Sequence, residues 1–258
     1  MLPYIEIFGK QVPTYGICFF AGLCIAVLAA VLLSKKRNIL SYDVIYAAVI
    51  AGVSGLVGSK LLFVIVSLPT IIEQNIPLIN VFKGGFVFYG GLIGGVIGLY
   101  IYVKGYKLSK GDFFDLFATV VPLGHAIGRV GCFLGGCCYG IEYSGPLHCV
   151  YTVNIGNTPT NIPLLPVQLI EAFLLLCLFG LLVILYNKRL KKGTQVAVYA
   201  LAYSVIRFVL EFFRGDKERG EFFGISTSQI ISVLIVILIS VYLISIYKKK
   251  DNKNNAVN

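Results

Sequence analysis

Long apolar runs separated by short polar connections dominate this chain. Seven runs are long enough to cross a bilayer as a helix, which takes about 20 residues. The predicted spans cover residues 13–33, 44–68, 82–103, 112–134, 163–187, 195–213 and 225–247. The runs do not alternate between apolar and polar residues, as the strands of a transmembrane barrel do. The pattern therefore predicts an all-α polytopic membrane protein with about seven transmembrane helices.

Composition and charge agree with a membrane protein. Of the 258 residues, 57% are hydrophobic and only 13% are charged, which is too few charges to cover the surface of a soluble domain. The net charge of +10 would suit a nucleic-acid-binding protein. The basic residues lie between apolar runs, however, as topology determinants do. We therefore expect a membrane setting and no nucleic-acid partner.

The basic residues also predict the orientation. The connections after the first, third and fifth runs, together with the C-terminal tail, hold 14 Lys and Arg residues, and the opposite connections hold 5. The positive-inside rule then places the N-terminus outside and the C-terminus in the cytoplasm. The longest outer connection, residues 135–162, has no Lys or Arg and predicts an ordered loop or small extracytoplasmic head. We expect one transmembrane domain over residues 1–248 and a polar cytoplasmic tail over residues 249–258.

Three basic residues, Lys60, Arg129 and Arg207, fall inside predicted spans. A charge at the bilayer centre costs about 2.5–3.5 kcal/mol on insertion scales, so such residues usually face a partner or a cavity. Four acidic residues are available as partners: Glu171, Glu211, Asp112 and Asp115. Arg207 and Glu211 share a helical face, with Arg214 three residues further on. This face is either an intrahelical ion pair or a cationic wall for a lipid phosphate.

Glycines surround two of the candidate positions. Arg129 has five glycine neighbours, at Gly124, Gly128, Gly131, Gly135 and Gly136, a pattern that suits a bent backbone and a closely approaching ligand. The stretch "GGFVFYGGLIGG" at 84–95 surrounds Tyr89 with glycine pairs. It predicts either a helix contact through small residues or a cavity wall with the Tyr89 hydroxyl as a polar group.

Four cysteines, Cys132, Cys137, Cys138 and Cys149, lie at or beyond the outer end of the fourth run. Their spacing differs from the usual C-x2–4-C pairs of structural zinc sites, and we expect no metal. A disulfide facing an oxidising exterior and a reactive thiolate near Arg129 both remain open.

Over almost its whole length the chain resembles the phosphatidylglycerol–prolipoprotein diacylglyceryl transferases. The motifs that carry the resemblance are Tyr15-Gly16, "GSKLLF" at 58–63, "FYGGLIG" at 88–94, "GRVGCFLGGCCYG" at 128–140, "PVQLIE" at 166–171, "RFVLEFFRGD" at 207–216 and "TSQIIS" at 227–232. The resemblance implies a multi-pass enzyme of the bacterial cytoplasmic membrane. It implies that a prolipoprotein lipobox cysteine attacks the glyceryl carbon of phosphatidylglycerol and that glycerol phosphate leaves. No metal or organic cofactor is implied.

The residues and the resemblance together predict the site. The predicted catalytic residues are Arg129, Arg207, Tyr89 and Tyr15. The predicted phospholipid-binding residues are Arg129, Arg207, Arg214, Lys60, Gly90, Gly91, Gly128, Gly131 and Gly140. The predicted supporting residues are Glu211, Glu171, Gln168, Cys132 and Cys137.

The chain departs from the family pattern at several of these positions. Tyr89 stands where the family has the histidine of His-Gly-Gly-Leu, and Lys60 stands where it has an arginine. In the signature, Cys132 and Gly135 replace asparagines and Cys137 replaces a glutamate. Two alternatives therefore remain open. One is a diverged transferase with another acceptor, and the other is a non-catalytic lipid-binding or thiol-redox membrane protein.

Overall fold

The computed structural model describes residues 2–74, 77–83, 85–153, 158–216, 221–222 and 225–255. Some of the predictions lie outside these residues. They concern Gly84, part of the predicted outer loop at 154–157, the outer basic residues Lys217 and Arg219, and the end of the tail at 256–258.

The described chain is mostly helical. Its helices are α1 (Thr14–Ser34), α2 (Ser41–Glu73), α3 (Leu78–Lys83), α4 (Phe88–Gly105), α5 (Lys110–Leu134), α6 (Val167–Asn187), α7 (Thr194–Glu211) and α8 (Thr227–Asn255). Three antiparallel pairs of short strands accompany them: β1 (Tyr4–Ile7) with β2 (Lys10–Pro13), β3 (Cys149–Val150) with β4 (Pro163–Leu164), and β5 (Glu221–Phe222) with β6 (Ile225–Ser226).

Each of the seven predicted spans coincides with one of these helices. By length and composition, α1, α2, α4, α5 and α6 can cross a membrane. Helices α7 and α8 are not among these five. Helix α7 carries the charged residues Arg207 and Glu211, and the apolar part of α8 described at side-chain level, Thr227–Val241, is shorter than a span. The protein is therefore a polytopic helical membrane protein, and a spanning role for α7 and α8 stays a prediction.

The third predicted span begins too early. It was expected from residue 82, whereas α4 begins at Phe88, after Val87 in an extended conformation (φ −102°, ψ 121°). Ser59 of α2 explains the late start. Its carbonyl accepts a hydrogen bond from the Val87 amide (3.2 Å), and its hydroxyl donates one to the Val87 carbonyl (2.8 Å). Hydropathy cannot reveal such a tertiary contact, because Phe86 and Val87 are as apolar as the residues that follow them in α4.

The chain forms two compact units. The first consists of Met1–Ala26 and Phe117–Asn258, and the second consists of Val27–Leu116. In the first unit α1 packs on α5 through small residues: a Cβ on Gly22 would lie 2.7 Å from the Gly124 carbonyl oxygen. Helices α6, α7 and α8 pack in sequence order in the same unit. The close approach of α1 to α5 therefore depends on glycine at this crossing.

In the second unit α2 and α4 lie almost backbone to backbone. A Cβ on Gly58 would clash with the Gly90 carbonyl, and one on Gly94 would clash with the Ser54 carbonyl. Of the two interpretations of the glycine-rich stretch around Tyr89, the structure shows the helix contact through small residues.

Asp112 and Asp115 have a partner within the second unit. Arg37, just after α1, places Nη1 3.4 Å from an Asp112 oxygen and 3.8 Å from an Asp115 oxygen. Asp115 is fully buried, so its charge requires this partner. These carboxylates thus pair with a basic residue at a helix end.

The described part of residues 135–162 contains regular backbone pairing. Strands β3 and β4 pair, and the Tyr143 amide donates to the Pro163 carbonyl (2.9 Å). The Asn161 amide donates to the Tyr151 carbonyl (2.8 Å), and Tyr151 is 1% exposed. The loop is thus anchored on a buried aromatic side chain.

Gly58→Ala is expected to lower the free energy of unfolding by about 1–3 kcal/mol, since the new methyl group must displace the Gly90 carbonyl. Denaturant unfolding of the detergent-solubilised protein measures this. The matched control is Gly52→Ala on the same helix, where no described atom lies within 4 Å of the Cβ position. That variant should be unchanged or more stable by up to about 1 kcal/mol. Equal losses in the two variants would contradict the packing argument.

Candidate functional site

Arg129 on α5 pairs with Glu171 on α6. The Arg129 Nη2 atom lies 3.0 Å from Glu171 Oε1, and Glu171 is fully buried. The same oxygen accepts a hydrogen bond from the Tyr203 hydroxyl (3.4 Å) and lies 3.8 Å from His125 Nε2. Glu171 was one of four acidic partners that the sequence offered, and the fold selects it.

Arg207 on α7 forms the predicted intrahelical ion pair with Glu211, at 2.5 Å. Its Nη2 also donates to the Ser228 hydroxyl on α8, at 3.1 Å. Arg207 is only 7% exposed. Glu211 and Ser228 together fix the orientation of its guanidinium where α7 packs on α8. The ion pair therefore does not exclude a role in ligand binding, because it occupies one edge of the guanidinium.

Arg214 follows the end of α7 and is 8% exposed. Its Nε and Nη2 donate to the two carboxylate oxygens of Asp216, at 2.8 and 2.6 Å. Such a two-point pair fixes the plane of the guanidinium as well as its position.

A close backbone crossing sets the position of Arg214. The Gly215 amide donates to the Tyr139 carbonyl, and the Ile141 amide donates to the Phe213 carbonyl, both at 3.0 Å. A Cβ on Gly140 would clash with the Leu165 carbonyl. Gly140 is therefore needed for this crossing, which joins the loop after α5 to the segment after α7. Its predicted contact with a phospholipid stays a prediction.

Gln168 and Glu171 lie one turn apart on α6 and organise two parts of the site. The Gln168 amide Nε2 donates to the Cys137 carbonyl (2.7 Å) and lies 2.9 Å from the Tyr151 hydroxyl. Gln168 thus holds the loop that follows α5, while Glu171 holds the Arg129 guanidinium. Both supporting positions in "PVQLIE" therefore have a structural basis.

Each of the three arginines keeps one buried N–H group without an acceptor among the described residues. These groups are Nε of Arg129, Nη1 of Arg207 and Nη1 of Arg214. A buried donor left unsatisfied costs about 1–3 kcal/mol, so a water, an ion or a ligand is expected to accept from it. Guanidinium donors suit phosphate oxygens in particular. The cluster can therefore bind an anionic headgroup.

The other predicted residues of the first unit lie on α1 and α5. Tyr15 is 44% exposed and stacks on Phe19 with ring centres 6.3 Å apart. Gly131 packs against α1, since a Cβ there would lie 2.7 Å from the Cys18 Cβ. At Gly128 no described atom lies within 4 Å of a Cβ position. Gly128 therefore leaves room beside Arg129, while Gly131 supports the helix contact.

Lys60, Tyr89, Gly90 and Gly91 belong to the second unit. Lys60 Nζ lies 4.9 Å from the centre of the Phe63 ring and 5.0 Å from that of Phe86. Tyr89 is partly buried. Gly90 and Gly91 lie in the contact with α2. The catalytic and lipid-binding roles predicted for this group stay predictions.

All seven cysteines are described, and none of them forms a disulfide. Cys149 donates to the Leu164 carbonyl at 3.4 Å, and burial raises the pKa of its thiol. Cys132, Cys137 and Cys138 instead bring their sulfur atoms within 4.8 Å of one another. The disulfide interpretation is thus not borne out in this structure.

The sequence reasoning missed Tyr203, Ser228 and Asp216 as site residues. Tyr203 could have been found, because Tyr199, Tyr203, Arg207 and Glu211 recur every four residues on one face of α7. Asp216 and Ser228 carry no such signal, since the first acts from a loop and the second from α8.

The fold and the site define a polytopic helical membrane protein with three buried arginines, each paired with a carboxylate. The family model for prolipoprotein diacylglyceryl transferase matches residues 3–245. A phosphatidylglycerol–prolipoprotein diacylglyceryl transferase of Clostridium tetani is 35% identical over 95% of this chain and 98% of its own. A second such protein, transferase 2 of Clostridium perfringens, is 32% identical over 96% of each chain. The chain belongs to the prolipoprotein diacylglyceryl transferase family, which confirms the resemblance.

Glu171→Ala is expected to destabilise the protein by about 3–5 kcal/mol, since it leaves the Arg129 charge without its partner. Adding Arg129→Ala should cost less than the sum of the single changes, because the two residues interact directly. Denaturant unfolding of the variants measures both effects. Glu73→Ala, at the exposed end of α2, is the control and should change stability by less than about 0.5 kcal/mol. Additive losses would show that the pair is not coupled.

Proposed function

We propose that this protein transfers the diacylglyceryl group of phosphatidylglycerol to the lipobox cysteine of prolipoproteins, the first step of lipoprotein lipidation. The observation that carries the proposal is that Arg129, Arg207 and Arg214 each have a buried guanidinium nitrogen with no hydrogen-bond acceptor among the described residues. Family membership supports the same reaction, and the relatives carry that activity in their names.

In the proposed reaction the acceptor thiol releases its proton to water, and the resulting thiolate attacks the glyceryl carbon. The carbon–oxygen bond to phosphate breaks, and glycerol phosphate leaves with the electron pair. Arg129, Arg207 and Arg214 would hold the phosphate before the attack and stabilise the negative charge that develops on the leaving group. Their carboxylate partners fix the guanidinium groups in advance, so little reorientation is needed when the lipid binds.

The proposal includes a membrane topology. Seven spans, with the N-terminus outside and the C-terminus in the cytoplasm, would place the loop at 135–162 on the outer face of a bacterial cytoplasmic membrane. The exported acceptor would meet the enzyme on that side. The charge asymmetry of the connections supports this orientation.

We assign Tyr89, Tyr15 and Lys60 to the proposed site because of the sequence motifs in which they lie. Tyr89 would supply by its hydroxyl the hydrogen bonding that the family obtains from histidine. Lys60 keeps a positive charge where the family has arginine, without the two-point geometry of a guanidinium.

Arg129→Ala is expected to lower the transfer rate about 10²–10³-fold, the usual effect of removing one donor that stabilises developing charge. Arg129→Lys should recover part of the rate, since it keeps the charge and loses the fork. The measurement is the thioether product formed from a lipobox peptide in phosphatidylglycerol vesicles, together with complementation of a strain that lacks its own transferase.

Arg37→Lys is the control for this experiment. Arg37 is also paired with carboxylates, and its side chain is only 9% exposed. Because Arg37 has no assigned role in transfer, the transfer rate of the Arg37→Lys variant should equal that of wild type. An active preparation that forms no thioether product, or an Arg129→Ala variant as fast as wild type, would refute the proposal.

Tyr89→Phe should lower the transfer rate about tenfold, since one hydrogen bond contributes about 1 kcal/mol or more. Tyr89→His should remain active, because imidazole can also form hydrogen bonds at this position. The same thioether assay measures both variants. A Tyr89→Phe enzyme with the wild-type rate would remove Tyr89 from the catalytic residues.

A further inference from the structure

A three-cysteine cluster forms at the end of α5. The sulfur atoms of Cys132, Cys137 and Cys138 lie within 4.8 Å of one another. Cys132 is buried, Cys138 is partly buried and Cys137 is exposed. The cluster thus reaches from the protein interior to the surface.

The backbone folds the second cysteine back over the first. Helix α5 ends in a Schellman motif: the Cys137 amide donates to the Cys132 carbonyl (3.0 Å), and the Gly136 amide donates to the Phe133 carbonyl (3.3 Å). Gly136 has the left-handed conformation that this motif requires (φ 71°). The motif brings the residue after the glycine against the last turn of the helix, which explains why Cys137 meets Cys132.

Cys138 joins the pair through an uncommon backbone conformation. Its φ is 60°, which is unusual for a residue with a Cβ. The fold holds this part of the loop on both sides, because Gln168 binds the Cys137 carbonyl and Gly215 binds the Tyr139 carbonyl. The three sulfurs therefore converge on a rigid support, which a metal site requires.

The separation of the sulfurs suits a metal ion. Sulfurs bound to one tetrahedral zinc ion lie about 3.8 Å apart, since each zinc–sulfur bond is about 2.3 Å long. The cluster needs only a small contraction from its limit of 4.8 Å to reach that geometry. A disulfide, by contrast, would use two of the three sulfurs and leave one over. The C-x4-C-C spacing predicted no metal site. The Schellman motif nevertheless brings Cys137 next to Cys132, although the two residues are five positions apart in the sequence.

Two arginines lie beside the sulfur cluster. Three thiolates with one divalent ion have a net charge of −1, which requires compensation in a partly buried site. The Arg214 guanidinium lies within electrostatic range of Cys138, and Arg129 lies within electrostatic range of Cys132 and Cys138. Both guanidinium groups therefore lie where they can stabilise that charge, although each is also paired with its own carboxylate, Glu171 or Asp216.

We propose that Cys132, Cys137 and Cys138 bind one zinc-class divalent ion through three thiolates, with the fourth position open to the acceptor thiol. Three protein ligands and one open position are typical of catalytic zinc sites, whereas structural sites use four. The role in acceptor binding rests on the proposed transferase function, and the metal site itself does not.

In this arrangement the acceptor thiol releases its proton to water as its sulfur takes the fourth position. The sulfur then attacks the glyceryl carbon, the carbon–oxygen bond breaks, and glycerol phosphate leaves with the electron pair. The ion changes neither its charge nor its three protein ligands. Binding a thiol to the metal deprotonates it, which would supply the thiolate where the family's Asn and Glu are absent.

The test is a cobalt titration of the full-length protein in detergent under reducing conditions. Wild type should bind one Co²⁺, with the visible bands of a tetrahedral ion and a sulfur-to-cobalt band for three thiolates, and one Zn²⁺ should displace it. Cys137→Ser and Cys138→Ser should lose a thiolate ligand or the binding itself. Cys149→Ser, a loop cysteine outside the cluster, should match wild type.

Circular dichroism and thermal unfolding confirm that each variant is folded. A folded wild type that gives only the spectrum of octahedral cobalt would overturn the metal site. A Cys137→Ser spectrum identical to that of wild type would overturn it equally.

A second titration tests the fourth position. A lipobox peptide with cysteine should strengthen the sulfur-to-cobalt band, while the same peptide with serine should not. The absence of any difference between the peptides would refute acceptor binding at the metal. The cobalt spectrum without transfer would support the metal site and refute the proposed function. Full transfer after complete removal of metal would refute the role of the ion and leave the function standing.

Discussion

The burial of the Arg129 charge is the constraint on which the first unit depends. A guanidinium among apolar helices requires a carboxylate, and Glu171 meets it at 3.0 Å from the next helix along the chain. Pairing them fixes the register of α6 against α5. The same register places Gln168, one turn before Glu171 on α6, where its amide binds the Cys137 carbonyl in the loop after α5. One helix register thus holds both the Arg129 guanidinium and the loop that follows α5.

Glycine contacts allow the helices to come close enough for this arrangement. In the first unit Gly22 and Gly131 let α1 approach α5, and Gly140 lets two backbone segments cross beside Arg214. In the second unit α2 and α4 meet at Gly58 and Gly90. In a membrane, where apolar burial does not drive helices together, such close backbone packing is a main source of stability.

The arginines and the cysteines form one region of the first unit, and they suit the two halves of a group transfer. The arginines present donors for a phosphate, and Cys132, Cys137 and Cys138 present sulfur ligands that can hold a thiol through a metal ion. Cys138 is the link, since it belongs to the sulfur cluster and lies against Arg214. A chain that departs from its family pattern at Cys132 and Cys137 can in this way keep the same reaction.

The sequence by itself determined the helical membrane class and the approximate positions of seven helices, and it offered the Arg207–Glu211 ion pair as one of two interpretations, because hydropathy and i,i+4 spacing are local properties. It also supplied the family, through motifs spread over the whole chain. Only the tertiary structure decided that Glu171 is the partner of Arg129, that α4 begins at Phe88, and that three cysteines converge. Each of these depends on segments distant in sequence or on a backbone turn, and hydrophobic periodicity carries no information about either.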